Sequence, residues 1–304
     1  MPYRLVAIDG TRIYIEICLY LVPVLLHLVG LYLLYATRRT YFNHTQRLYL
    51  IALSSTELVM AILKIVQRFC YIAGAVEIGF YVWMVQTSGV FLCYILTMVL
   101  ITVDRFLEVY LNLRYPLICT KRRTGLALLV TLMLSTVLAI VLCSTYGDFE
   151  TAHIVMALYF WPTTEITFII VAVFTYSYLF TKIRANRYRL KQLVKQLPRM
   201  RSETDEAVNR RRNLKHIKKR FFLPSLLIAT FVLFWFLPDL GEFIFMLKGV
   251  HVTSSQALII NIGYVLAMSS DALIYVFSSI PVRSRLLKYI GRRRISVSFC
   301  HSNI

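Results

Sequence analysis

Charge is scarce in this sequence. Only 16% of its 304 residues are Asp, Glu, Lys or Arg, and 58% are hydrophobic. A soluble domain of this size typically carries about 25% charged and about 45–50% apolar residues, so an ordinary soluble fold is excluded. Cysteine is sparse as well. Cys18, Cys70, Cys93, Cys119, Cys143 and Cys300 show neither disulfide spacing nor a metal pattern. Most of them lie in apolar stretches, where cysteine packs as a small hydrophobe. The histidines (His27, His44, His153, His216, His251, His301) are dispersed. No metal or nucleophile cluster is present, so the sequence is read as neither an enzyme nor a cofactor carrier. A cleavable signal peptide is missing too, because the first apolar stretch is too long for an h-region and reads as an uncleaved anchor. The segment before it has no Asn, and it is expected to be too short for a separate ligand-binding domain.

What the sequence has is hydrophobic length. Mean hydropathy is +0.65, and the apolar residues come in seven blocks at about 13–37, 47–70, 79–107, 124–144, 153–181, 221–247 and 255–279. About 20 apolar residues in a helix cross about 30 Å of hydrocarbon. The reading is all-α, a seven-transmembrane helix bundle. Residues 281–294 put Val282, Leu286, Leu287 and Ile290 on one face and cations on the other. That pattern predicts a short amphipathic surface helix, which closes a seven-helix unit over 1–294 and leaves 295–304 as a tail.

The net charge of +19 is unevenly placed. Of the 34 Lys and Arg residues, 29 fall in 38–47, 105–124, 182–220 and 283–294. Each group follows an odd-numbered block. Lys/Arg bias sets orientation, so these segments are expected in the cytoplasm, with the N-terminus outside and the C-terminus inside. The same placement suits an anionic inner leaflet rather than nucleic acid. The sequon Asn43-His44-Thr45 would lie on the cytoplasmic side and stay unmodified. The basic segment 182–220 reads as helix extensions around a loop near Pro198–Asp205.

Within the third block's end, Ile101–Pro116, a carboxylate and a guanidinium stand side by side as Asp104 and Arg105. Charges at a helix end anchor it among headgroups; the other reading is a switch that holds and releases Arg105. In the second block, Glu57, Lys64 and Arg68 share one helix face. Ionisable groups at that depth face the bundle interior and take partners. A Glu57–Lys64 pair with Arg68 reaching outward is one reading, and a binding or switching role is the other.

These motifs together resemble the rhodopsin-like (class A) G-protein-coupled receptors. Asp104-Arg105-Phe106 is similar to the family's D-R-Y, with Phe in the third place. Leu53-Ser54-Ser55-Thr56-Glu57 resembles L-A-x-x-D, whose acid binds sodium in many members. Asp271-Ala272-Leu273-Ile274-Tyr275 resembles D/N-P-x-x-Y with the proline lost, and Phe236-Leu237-Pro238 resembles W-x-P, with Trp235 one residue early. The resemblance implies a switch and G-protein coupling surface at Asp104, Arg105, Phe106, Tyr176, Tyr178, Asp271, Tyr275, Phe236 and Pro238, and a sodium-like interior site at Glu57 and Asp271. It implies a heterotrimeric G protein as partner, a small-molecule or peptide ligand, and residence in the plasma membrane.

Departures narrow the ligand. Twenty-five residues before Arg105, where the family has its disulfide cysteine, stands Phe80. Cys70 and Cys143 are then either an alternative pair or two free thiols. Thr87 replaces the aspartate of amine receptors, and Val265 replaces the retinal-linking lysine, so the resemblance implies neither a typical amine receptor nor an opsin. The pocket is expected among Lys64, Arg68, Trp83, Gln86, Thr87, Glu165, Asp239 and Glu242. Lys64 and Arg68 either receive an anionic ligand group or pair with Glu57, Asp239 or Glu242. The acid that restrains the family's arginine from helix six is Lys218 here, so Arg105 is expected to be held by Asp104 and Glu108 alone, with appreciable ligand-independent signalling. Ser296, Ser298 and Ser302 are candidate phosphorylation sites, and Cys300 a candidate for acylation. The alternative is a seven-helix membrane protein without G-protein signalling, either a transporter, which should show internal repeats, or an accessory protein.

Overall fold

The computed structural model describes residues 10–36, 44–111, 114–196, 225–248 and 254–277. Sequence readings on Asn43, Lys218, the middle of the basic segment, the surface helix 281–294 and the tail with its serines and Cys300 lie outside the described residues.

Among the described residues the chain is helical, with seven helices long and apolar enough to cross a membrane. They are α1 (Gly10–Ala36), α2 (His44–Ile72), α3 (Val76–Leu111), α4 (Lys121–Thr145), α5 (Phe149–Val155, Met156–Phe160 and Trp161–Gln196), α6 (Ser225–Leu247) and α7 (Ser254–Phe277). A helical turn, Tyr115–Ile118, joins α3 to α4. α2, α3, α4 and α5 reach past their apolar blocks at both ends because backbone hydrogen bonding continues into polar flanks that add nothing to hydropathy. α5 is the extreme case, running on to Gln196 rather than ending near 181.

Two ends are capped by their own sequence. The Thr120 hydroxyl accepts from the Arg123 amide to open α4, and Asp148 accepts from the Thr151 amide at 2.8 Å to open α5. That backbone hydrogen bond holds the Asp148 carboxyl below the ordinary aspartate range.

Three helices contain a π-helical turn: Val85–Val90 in α3, Met156–Phe160 in α5 and Val232–Phe236 in α6. Such a turn adds a residue and re-aims the side chains beyond it. The α6 turn lies just ahead of Pro238, which lacks an amide hydrogen and crowds the Phe234 carbonyl. α7 passes so close to this site that a Cβ on Gly263 would stand 3.0 Å from Cγ of Pro238. α7 is α-helical throughout Ser254–Phe277, so Ala272 lies within an unbroken helix.

α4 is the peripheral helix. Its buried residues are Thr124, Thr131, Ser135 and Ala139, one narrow stripe of small side chains. Most of its Leu, Met, Val and Ile point outward, while Leu128 and Leu142 pack on the core. Small residues let membrane helices approach closely. Here Gly89 of α3 meets the stripe, and a Cβ at Gly89 would lie 2.8 Å from Cβ of Ala139. The core runs down the bundle through Tyr20, Tyr94, Phe168, Phe231 and Tyr275, all fully buried.

Candidate functional site

Three polar centres lie along the bundle, one at the Arg105 end, one in the middle and one toward Trp83. At the Arg105 end, Arg105 donates to Oδ2 of Asp104 at 2.6 Å and to Oε2 of Glu108 at 2.6 Å. Arg105 is 2% exposed. Both partners belong to its own helix, within one turn. The Tyr115 hydroxyl donates to Oδ1 of Asp104 at 2.7 Å and lies 3.3 Å from the Thr45 hydroxyl. Burial pushes the Tyr115 hydroxyl above the ordinary tyrosine range, which keeps it a donor. Tyr176 of α5 is near enough to interact with Arg105. Beside them Phe106 stacks on Tyr110 with centroids 5.6 Å apart and packs on Tyr178 at 5.3 Å. The Lys182 ammonium sits over the rings of Tyr110 and Tyr178.

The middle centre joins five helices. Tyr94 of α3 donates to Oδ2 of Asp271 at 2.9 Å, and Thr230 of α6 to Oδ1 at 2.6 Å. The carboxyl groups of Asp271 and Glu57 are near enough to interact. Tyr275 donates to Oε2 of Glu57 at 3.0 Å. His27 of α1 sits 3.0 Å from the Ser54 hydroxyl and 3.6 Å from Oε2 of Glu57. Glu57 and Asp271 are completely buried. Hydroxyl donors occupy both oxygens of Asp271, while Oε1 of Glu57 and Nε2 of His27 have no hydrogen-bond partner among the described residues. Among the described residues no group of three or more His, Cys, Asp or Glu side chains is placed to hold a metal ion.

Toward Trp83 the side chains form an aromatic shell around acids. Trp83 packs on Phe149, His153 and Trp161, and the Trp161 indole donates to the Thr87 carbonyl at 3.4 Å. Glu165 of α5 and Asp239 of α6 are buried and near enough to interact. Tyr264 of α7 donates to Oδ1 of Asp239. Glu242 pairs with His153 at 2.9 Å. Gln86 is buried, and its Oε1 has no partner among the described residues.

A stack of three rings joins the last two centres. Tyr264 packs on Trp235 with centroids 5.0 Å apart, and Trp235 on Tyr94 at 5.8 Å. One end of the stack bonds to Asp239 and the other to Asp271.

Several expectations change. Glu57 does not pair with Lys64; its partners are Tyr275, His27 and Asp271. Arg68 is not free for a ligand, because Glu16 of α1 holds it at 2.5 Å. Glu16 also accepts from Arg12 at 2.9 Å and from Asn261 of α7 at 3.3 Å, and Tyr20 donates to the same Asn261. Lys64 is buried with no carboxylate at ion-pair distance among the described residues; its charged neighbours are Arg68, Glu16, Glu242 and Asp239. Cys70 and Cys143 are free thiols rather than a disulfide. The inward aromatic of α6 is Trp235, in step with buried Phe231 and Asp239, while Phe236 is half-buried. The π-helical turn at Val232–Phe236 sets that register.

Sequence reasoning passed over Glu16, His27, Tyr94, Tyr115, Thr230 and Asn261. Glu16 carried a signal, as a lone acid in an apolar block four residues after Arg12. The others are ordinary residues whose role comes from a partner in another helix.

Compared with known proteins, the chain matches no family model and no curated protein.

Proposed function

We propose that this chain is a rhodopsin-like G-protein-coupled receptor that carries the binding of an extracellular ligand to a cytoplasmic heterotrimeric G protein. The observation that supports this best is Arg105, a guanidinium withdrawn from solvent at the end of α3 and held there by Asp104 and Glu108. Among the described residues both ion-pair partners of Arg105 lie on its own helix, so no salt bridge between helices has to break before it turns toward a partner. The Arg105 end is assigned to the cytoplasm of the plasma membrane, since Lys and Arg concentrate in the segments that join the helices there.

The ring stack supports a route for the signal. A ligand that shifts Tyr264 or Trp235 also shifts Tyr94, which is bonded to Asp271. The Pro238 turn gives α6 a place to bend. Ligand binding then biases a two-state equilibrium through its differential affinity for the two states. With both direct partners on its own helix, Arg105 is held loosely, so some output without ligand is expected. The test is expression of the chain with a promiscuous G-protein reporter. Basal or ligand-driven output that disappears in Arg105→Ala, at equal surface expression, supports the reading. Silence in every G-protein assay would sink it.

A further inference from the structure

We infer that His153 is a proton-binding site through which acid at the outer surface ties α5 to α6. The inference rests on the receptor reading for the side of the membrane that His153 faces and for the output that the tie controls.

Nε2 of His153 on α5 lies 2.9 Å from Oε1 of Glu242 on α6, with the side chains 24% and 13% exposed. His153 stands in the short stretch Phe149–Val155 that opens α5, and Glu242 in the last turns of α6, which ends at Leu247. The pair therefore sits at the rim of the bundle. Imidazole is the side chain that gains or loses a charge between about pH 5 and 8. Protonated, it makes a charge-assisted pair with the carboxylate; neutral, it makes at most the weaker hydrogen bond of an uncharged ring.

Aromatic rings enclose the same imidazole. Phe149 stacks on it with centroids 5.6 Å apart and planes 12° from parallel. Trp83 of α3 lies at 5.8 Å and Trp161 at 6.3 Å. Aromatic faces within about 6 Å attract a cation, so a protonated His153 is held by Phe149 and Trp83 as well as by Glu242. The π-helical turn Met156–Phe160 takes up one residue more than an α turn. It brings His153 and Trp161 onto the same side of α5, against Trp83.

Other charges at the pair come from each neighbouring helix. Glu150, one turn ahead of His153 on α5, makes no ion pair with it among the described residues. Lys64 of α2, Asp239 of α6 and Tyr264 of α7 are near enough to interact with Glu242. Among the described residues His153 is the ion-pair partner of Glu242. Pro238 lies on α6 between Glu242 and the Arg105 end. The His153–Glu242 contact coexists with Arg105 held by Asp104 and Glu108. Movement of α6 about Pro238 opens the tie, so a proton on His153 stabilises the held state.

The experiment measures thermal unfolding of the purified full chain in detergent from about pH 8 to about pH 5, the range in which histidine changes charge. As pH falls, the midpoint of the unaltered chain should gain on those of His153→Gln and Glu242→Gln, as mass action requires of a ligand of the folded state. The exchanged pair, His153→Glu with Glu242→His, keeps an imidazole against a carboxylate and should recover the gain. If the single variants fail to fold, Phe149→Leu, which leaves the ion pair and removes one ring, should reduce it. In cells with only the outer medium acidified, basal G-protein output should fall about two- to fivefold, the reach of a partly exposed pair. His153→Gln should abolish that fall. Midpoints that run parallel at every pH overturn the inference, as does output that rises with outer acid through His153. Output through Arg105 without a His153-dependent shift also overturns it while the receptor reading stands. A His153-dependent shift in a chain silent toward every G protein supports the proton site and removes the receptor.

Discussion

The Tyr115 hydroxyl donates to Oδ1 of Asp104 at 2.7 Å, so the carboxylate beside Arg105 is gripped from a second segment of chain as well as from its own helix. Tyr115→Phe removes a hydrogen bond to a charged acceptor, worth about 1.5–3 kcal/mol. In the receptor reading, basal cyclic-nucleotide or calcium output should rise, by up to about tenfold per 1.4 kcal/mol lost from the held state. Output unchanged at equal surface expression would show that Tyr115 does not restrain the switch. The folded-state pKa of Tyr115 is raised, so its contribution is fully present below about pH 10, the unfolded value. It fades only as pH climbs through the higher folded value.

Glu16 gathers Arg12, Arg68 and Asn261, tying α1 to α2 and α7. Glu16→Gln leaves Arg68, whose side chain is 12% exposed, without its counter-charge. The cost should approach the roughly 3 kcal/mol typical of breaking a buried pair from one side. Thermal unfolding in detergent measures it. A Glu16→Gln, Arg68→Met double variant should recover much of the loss, since replacing both partners strands no charge. Additive losses would show that the pair is not coupled.

Gly89→Ala places a Cβ 2.8 Å from that of Ala139. Two helix backbones must part, at a cost of about 1–3 kcal/mol. Adding Ala139→Gly reopens the space and should restore part of the stability. A melting curve for Gly89→Ala alone that matches the unaltered chain would show that α3 and α4 are not packed this closely.

Trp235→Ala should cost about 3–5 kcal/mol, as for a buried tryptophan, and Phe236→Ala distinctly less. The comparison tests the register of α6. Equal losses would place both rings in the core, and a reversed order would put Phe236 inside.

Much of the fold was legible because membrane spans are written in one dimension. A run of apolar residues needs only length to declare itself, and all seven spans were read that way. Pairing across helices is written in rotation and depth, which a single chain does not display. The Glu57–Lys64 pairing looked sound on one helix face, yet the bundle gives Glu57 to Tyr275 and Asp271 and seats Arg68 on Glu16. The Trp235–Phe236 ambiguity had a different cause. A 3.6-residue period carries no sign of a π-helical turn, and that turn decides which ring faces Tyr94. Arg105 was readable for the opposite reason, since its partners Asp104 and Glu108 are neighbours in sequence.

The stripe on α4 bears on how this sequence can drift. Most of its large side chains, Leu126, Leu129, Val130, Leu132, Met133, Leu134, Val137, Ile140 and Val141, are exposed on the bundle's outer face, toward lipid, a solvent that accepts Leu, Ile, Val or Met at nearly equal cost. Exchange among them leaves the bundle untouched, so most of this helix is free to diverge between descendants of the same gene. The constraint falls on the four small residues Thr124, Thr131, Ser135 and Ala139 and on Gly89 opposite. Searches for kin should weight those positions above the rest of the span.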